Sequence, residues 1–410
     1  MNAKEADVKI VTMRAKGLKL FSSDWTSIDL YATGRVSGDD TGTRRFSGSG
    51  ASVASQTVVA FAGLNATGKS TTLRLLSLAS QMVIGTALND GTCVAVAKLL
   101  EESGLDLQIV LEHAGEWYLL ESHVDSTGNL WREPTSADNQ SPFRFGSETL
   151  WQHRGRRISK KELADVDTFR SHCEIMRTRE GLSKELAVAL GRNRSIVTLL
   201  RDGGARGLGM GYYDSSLNIP MPVSPIPTQV VRFFDNTVEH LELDGENVFH
   251  VKFAGEERSY DVSPLDLPLL LSSGTMRGSQ IMQMVISVLM HGDMLLVDEL
   301  ENSLNKRLIQ TIFDLFTSQV TNPHGACLIF TTHYPELLDY LDRADCIYFM
   351  RRMKNGKVNA GKLSDLEPRY DIKRSEMFLS NQFGATAPKA ADIMMLRNYI
   401  THRLSADSGQ

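Results

Sequence analysis

Gly63-Leu64-Asn65-Ala66-Thr67-Gly68-Lys69-Ser70 follows the spacing GxxxxGK[ST], and the chemistry of that spacing is the holding of a polyphosphate. Glycines let backbone N–H groups turn inward onto phosphate oxygens. The Lys69 ammonium supplies a point charge for the β- and γ-phosphates, and the Ser70 hydroxyl is a ligand for Mg²⁺. On this reading Gly63, Asn65, Ala66, Thr67, Gly68, Lys69, Ser70 and Thr71 all line a nucleoside triphosphate. Further along, Met294-Leu295-Leu296-Val297-Asp298-Glu299 is an apolar run ending in two carboxylates. There Asp298 belongs in the Mg²⁺ shell, and Glu299 is placed to orient or deprotonate an attacking water. His333 ends a second apolar run, Cys327 to Thr332, 35 residues after Asp298, where it reaches the terminal phosphate as a sensor. The blander readings are that Glu299 and Glu301 favour a helix dipole and that His333 is structural.

These groups work only if strands and helices bring them together. Thr57 to Ala62 reads as a strand and Ser70 to Ala79 as a helix, which puts the phosphate-binding loop between them. Val8 to Met13 and Ser27 to Tyr31 are β-like, and Ser37 to Ser52 is a Gly/Ser/Thr/Asp-rich loop. Asp106 to His113 and Trp117 to His123 form a hairpin turning at Ala114-Gly115-Glu116, followed by a polar, turn-rich stretch from Gly128 to Glu148. From Trp151 to about Gly209 the pattern turns helical, with Lys160 to Arg179 and Leu182 to Arg201 as its main segments. A Pro-rich connector, Pro220 to Pro227, leads into expected strands at Val230 to Phe234, His240 to Leu243 and Val248 to Phe253. Met294 to Val297 is continuous in its apolarity, as a strand buried on both faces must be.

The chain of 410 residues is long enough for one large domain with insertions or for two to three domains. Hydrophobic content of 42% and charged content of 23% fit a globular protein, and no apolar run approaches the roughly 20 residues of a membrane span. The four cysteines, Cys93, Cys173, Cys327 and Cys346, have no CxxC spacing. With no apolar signal core at the start, they suggest buried thiols in a reduced cytoplasm and argue against a zinc centre.

The Leu271-Ser272-Ser273-Gly274-Thr275 segment, which opens an apolar helix running to about Met290, resembles the signature loop of ABC-type ATPases. Its Ser-Ser-Gly-Thr form is that of the soluble OLD-like and RecF-like branch. Asp298-Glu299-Leu300-Glu301-Asn302-Ser303-Leu304 is similar to that branch's acidic motif, with Asn305 where a His is common, and Leu328 to His333 looks like its switch-histidine strand. Phe378-Leu379-Ser380-Asn381-Gln382-Phe383-Gly384-Ala385 is similar to a C-terminal Phe-Gly-Ala element, and Arg194 to Leu200 faintly matches a helical insert. The resemblance implies an α/β P-loop NTPase with an ABC-type head, a mixed central sheet flanked by helices. It implies a first part of the head over 1–150, a helical insertion over 151–210, the rest of the head over 211–350 and a tail over 351–410. It also implies ATP and Mg²⁺ as cofactors, and a homodimer or higher oligomer in which Ser272, Ser273 and Gly274 serve the nucleotide held by the partner. Read without the family, Ser272 is an ordinary helix N-cap. Gln81 and Gln108 compete for a metal-linking glutamine. Trp25, Tyr31 and Phe46 are aromatics that could stack on adenine, although core roles fit them better.

Residues 154–206 carry 13 Lys/Arg against 7 Asp/Glu, a local net of +6 in a chain of net −5. The segment is a candidate contact for nucleic acid or an acidic partner, or else a solvated face. Only 77 residues follow His333, without paired metal-binding acids of a nuclease, so the resemblance points to a separate effector, a nuclease or toxin of anti-phage defence. The alternatives are a RecF-like or SMC-like DNA-repair ATPase and, further off, a transporter motor.

Overall fold

The computed structural model describes residues 8–22, 24–37, 40–46, 53–91, 93, 96, 99–126, 143–155, 157–203, 208–214, 225–302, 304–366, 372–380 and 390–407. Strands β1 (Lys9–Lys16), β2 (Thr26–Asp29), β3 (Thr43–Arg45), β4 (Ala54–Gln56) and β5 (Val58–Ala62) precede helix α1 (Lys69–Ile84). After it come β6 (Leu105–His113), β7 (Glu116–Ser126), β8 (Phe143–His153), β9 (Cys173–Thr178), β10 (Met210–Asp214), β11 (Val238–Leu243), β12 (Phe249–Phe253) and β13 (Ser259–Val262). The chain then forms β14 (Met294–Asp298), β15 (Cys327–Thr332), β16 (Ile347–Arg352) and β17 (Val358–Lys362).

Every residue of β5 and β14 is buried, which is why both read as unbroken apolar runs. They belong to a six-stranded sheet of order β10-β14-β15-β5-β16-β17, parallel throughout except for β17. Alternation along each strand divides the interior in two. Val58, Ala60, Ala62, Leu295, Val297 and Phe330 face a core shared with helices Ser273–His291 and Lys306–Thr317. Val59, Phe61, Leu296 and Ile329 face the opposite core, built with α1 and a six-stranded antiparallel sheet, β2-β1-β6-β7-β8-β9. Each such fully buried valine, leucine, isoleucine or phenylalanine stabilises by about 1.5–3 kcal/mol relative to exposure. The mixed sheet flanked by helices is the α/β architecture expected.

The hairpin of β6 and β7 turns at Ala114 and Gly115, whose φ of 53° and 82° are those of a two-residue turn matched to strand twist. Other segments depart from expectation. Val230 to Phe234, rich in β-branched and aromatic residues, is not a strand but the end of a helix, Thr228–Phe234. It buries Val230 and Val231, and Gly278 leaves room for the Phe234 ring, which a Cβ there would meet at 2.5 Å. Lys160 to Arg179 is not one helix: Ser159 caps a helix at Lys160–Ala164, Asp165 caps a second at Val166–Ser171, and β9 follows. Leu182 to Arg201 divides into a helix, Lys184–Leu190, and a 3₁₀ segment, Ile196–Gly203. Phe143 to His153, where turns and then helix were expected, is β8, with Phe143 and Phe145 buried. Local propensity loses here to cross-strand pairing. Ile196 and Val197 lie in the same core as α1, so this segment packs on the head.

Candidate functional site

Three adjacent parallel strands, β14, β15 and β5, end side by side, and the candidate residues stand at or just beyond their carboxyl ends. Asp298 closes β14, His333 follows β15, and Gly63 follows β5. This is the edge at which parallel α/β sheets bind ligands.

The loop from Gly63 to Gly68 reverses the chain with Ala66 at φ 61° and Gly68 at φ 88°. Gly63 has no room for a side chain, since a Cβ would lie 2.6 Å from the Met350 carbonyl and 2.7 Å from Thr67 Oγ1. Thr67 Oγ1 donates to the Leu64 carbonyl at 2.7 Å and closes the loop on itself. In α1 the first backbone bond runs from the Thr72 N–H to the Gly68 carbonyl. The N–H groups of Lys69, Ser70 and Thr71 therefore have no helical acceptor, and no side chain caps this terminus. No acid sits in the first turn either, so the positive end of the helix is left for an external anion.

Lys69 is buried and donates from Nζ to the Gly63 and Leu64 carbonyls at 2.8 and 3.0 Å. Burial holds its ammonium below the usual lysine range, and the charges of Glu299, Glu301 and Asp298 oppose that shift. The acidic strand end is thus within electrostatic reach of the phosphate-binding loop. Glu299 has φ 51°, a left-handed conformation costing about 1–3 kcal/mol in a non-glycine residue. A bond from its N–H to Thr331 Oγ1 at 2.8 Å holds it there, while the same hydroxyl donates to Asp298 Oδ1 at 2.5 Å. Asn302 Nδ2 donates to the Glu299 carboxylate.

Glu301 is almost wholly buried and accepts the His333 N–H on Oε1 at 2.8 Å. His333 Nδ1 lies 3.0 Å from the same oxygen without a hydrogen bond between them, and Glu301 Oε2 has no partner among the described residues. A phosphate-bearing nucleotide and its cation fit this site on the donor set: uncapped N–H groups, an ammonium and the Ser70 hydroxyl at the start of α1, and carboxylates at the strand end within electrostatic reach. Asp298 and Ser70 would hold the cation.

Thr331, Glu301 and Asp214 were not singled out by the sequence reading. Thr331 looks like ordinary β-branched strand filling, and Glu301 like a helix-terminus acid. Asp214 is buried, faces Asp298 across the β10 and β14 register, and has Arg74 of α1 at 3.9 Å. Only the strand order brings it here. Leu271 and Thr275 are buried, whereas Ser272, Ser273 and Gly274 are exposed. Ser272 does cap helix Ser273–His291, accepting the Thr275 N–H at 3.0 Å. The first backbone bond of that helix starts at Met276, so the Ser273 and Gly274 N–H groups have no helical acceptor.

Gln81 and Gln108 make local bonds, to Thr86 and Glu121 respectively. Tyr31 and Phe46 are core residues, Phe46 meeting Trp117 edge-on at 5.2 Å, while Trp25 is exposed. Of the Phe-Gly-Ala element, residues 381–385 lie outside the described residues. All four cysteines are free thiols, and burial pushes those of Cys173 and Cys346 up to about 12. Among the described residues, no helix is long and apolar enough to cross a membrane.

The family model described as AAA domain, putative AbiEii toxin, Type IV TA system matches residues 212–339, which contain the acidic strand and His333. The chain has the P-loop NTPase fold. Among solved structures, the Smc head bound to the C-winged helix domain of ScpA is similar over 87% of this chain and 98% of that one, at 12% identity and a TM-score of 0.45. The Smc head domain with a coiled coil and joint derived from Pyrococcus yayanosii is similar over 92% and 99%, at 9% identity and 0.43. No curated protein matches the chain.

Proposed function

We propose that this chain binds and hydrolyses ATP, that two copies close head to tail around two ATP molecules, and that the closed pair switches a separate effector. One observation carries the reading. Lys69, Asp298, Glu299 and His333 belong to one strand-end site, whereas Ser272, Ser273 and Gly274 present an anion-seeking helix end to solvent. A second copy related by a twofold axis would satisfy both surfaces at once.

Mg²⁺, when bound, would neutralise charge on the β- and γ-phosphates. Around it, Lys69 would hold the phosphate oxygens, Ser70 and Asp298 the cation, and Glu299 would orient and deprotonate the attacking water. Glu301 would hold the His333 backbone so that its ring meets the terminal phosphate. The name of the matching family, with its putative toxin of a Type IV TA system, supports a toxin–antitoxin setting for such a switch.

A change from mostly open to mostly closed needs about 5 kcal/mol of differential ATP affinity. Equilibrium sedimentation of the Glu299→Gln variant with ATP should therefore show a dimer; a monomer at saturating ATP would overturn the model of closure. Purification with untagged companions should retain the effector.

Duplex clamping would require the basic segment to be open to phosphates, and exposed Arg157 and Lys161 are available for that. Arg170 and Arg179, however, pair with Glu121 and Glu148 of the antiparallel sheet. DNA binding with a steep salt dependence would favour the clamp instead.

A further inference from the structure

Against the expectation of no zinc centre drawn from the cysteine spacing, we propose that His153, Glu162 and His172 form a cysteine-free zinc-binding site, separate from the nucleotide site and built into the antiparallel sheet and its two short helices. One ligand atom from each lies within 4.8 Å of the others. His153 ends β8, Glu162 lies in helix Lys160–Ala164, and His172 caps the end of helix Val166–Ser171. The β8 and β9 register pairs His153 with Cys173, which brings the two histidines together although 18 residues separate them. Their rings are 5.9 Å apart.

The hydrogen bonds around the cluster engage Nδ1 of both histidines and Oε2 of Glu162. His153 Nδ1 lies 2.7 Å from the Gly155 carbonyl and 3.0 Å from the Gly155 N–H. With the proton on Nδ1, the arrangement the shorter carbonyl contact favours over the Gly155 N–H contact, the other ring nitrogen is the one open to a metal. Nε2 then carries a lone pair; it is buried without a partner among the described residues, in a residue only 5% exposed. His172 Nδ1 is 3.0 Å from the Thr168 carbonyl, which in the same way turns its Nε2 into a lone-pair donor. Anchoring one ring nitrogen on a backbone carbonyl is how proteins orient imidazoles toward a metal. Glu162 Oε2 takes the Ser159 N–H and hydroxyl at 2.6 and 2.7 Å, leaving Oε1, which is 3.6 Å from His172 Nδ1.

Two imidazoles and one carboxylate are borderline donors of the kind Zn²⁺ takes, whereas Mg²⁺ and Ca²⁺ seek oxygen alone. Tetrahedral Zn²⁺ with bonds of about 2.0–2.1 Å requires the donors to close from their present spacing. Exposed His172 would make most of that movement, while Glu162, held through Oε2 by Ser159, would turn Oε1 toward the metal. The fourth position would face solvent on the His172 side and take water. Neighbouring Cys173 is not one of the clustered ligands, and its buried thiol donates to the Phe169 carbonyl at 3.3 Å. Zinc would tie the end of β8 to both helices and so stiffen the segment that carries the basic residues.

The test is equilibrium dialysis of the EDTA-treated, untagged full chain against zinc without nucleotide, with Co²⁺ absorption reporting the geometry. One equivalent per chain and a tetrahedral cobalt spectrum are expected, with a rise in Tm on zinc addition. His172→Ala removes an exposed side chain, and Glu162→Gln keeps the helix cap. Each should weaken zinc at least about 10-fold, the loss that removing even an outer partner of a ligand brings, and should abolish the rise in Tm. Lys69→Met should leave zinc binding unchanged. Absence of bound zinc in the wild-type chain, or equal zinc binding in folded His172→Ala and Glu162→Gln, would overturn the site.

Discussion

Replacing Thr331 with valine keeps the shape of a fully buried β15 side chain and deletes one hydroxyl. That hydroxyl joins the two acidic residues of the site, donating to Asp298 Oδ1 at 2.5 Å and accepting the Glu299 N–H at 2.8 Å. Losing the charge-assisted bond costs about 1.5–3 kcal/mol, and leaving the Glu299 N–H without its acceptor about 1–3 kcal/mol. Some of that returns when Glu299 relaxes from φ 51°, a strained state worth about 1–3 kcal/mol. The net expectation is a loss of roughly 2–4 kcal/mol of stability, measured by chemical denaturation with an unchanged m-value. The functional loss should be larger, because Glu299 would no longer be held against the attacking water, and a displacement of about 1 Å costs on the order of 100-fold in rate. Single-turnover ATP hydrolysis should fall by at least that factor while ATP binding, measured separately, changes little. Thr331→Ser, which restores the hydroxyl, should recover most of both. A valine variant with wild-type stability and turnover would refute the idea that this bridge positions Glu299.

Arg179→Ala should destabilise the chain by about 3–5 kcal/mol in denaturant titration, because it strands the fully buried Glu148 carboxylate, which otherwise also accepts from Ser195 Oγ and the Ile196 N–H. Gly63→Ala should cost about 1–3 kcal/mol of stability and weaken ATP binding, since its Cβ would lie 2.6 Å from the Met350 carbonyl; wild-type affinity would refute the packing argument. His250 lies 2.6 Å from Asp261 and 3.2 Å from Asp244, and these bonds raise its pKa above the usual histidine value. A raised native pKa stabilises in the protonated form. The stability difference between wild type and His250→Gln should therefore be complete below about pH 6.5 and fade as pH rises through the native value, as read by Tm across pH.

The sequence by itself determined the parts of the site whose chemistry is local. A phosphate-binding loop needs glycines and a lysine at fixed spacing, and the acidic strand announces itself because β14 is buried on both faces and ends in charge. Strand alternation and the Ala114-Gly115 turn likewise disclosed the hairpin of β6 and β7. Tertiary structure decided what depends on neighbours remote in the chain. Val230 to Phe234 has the composition of a strand, but proline upstream and the space left by Gly278 make it a helix. Phe143 to His153 and Cys173 to Thr178 gain their strand state only from pairing with each other and with β7. Thr331, Glu301 and Asp214 acquire roles because β10, β14, β15 and β5 lie side by side, an order that no spacing along the chain encodes. The same pairing of β8 with β9 gathers His153 and His172 around Glu162. Residue types carry the chemistry, while adjacency, which sets burial and hydrogen-bond partners, exists only once the chain has folded.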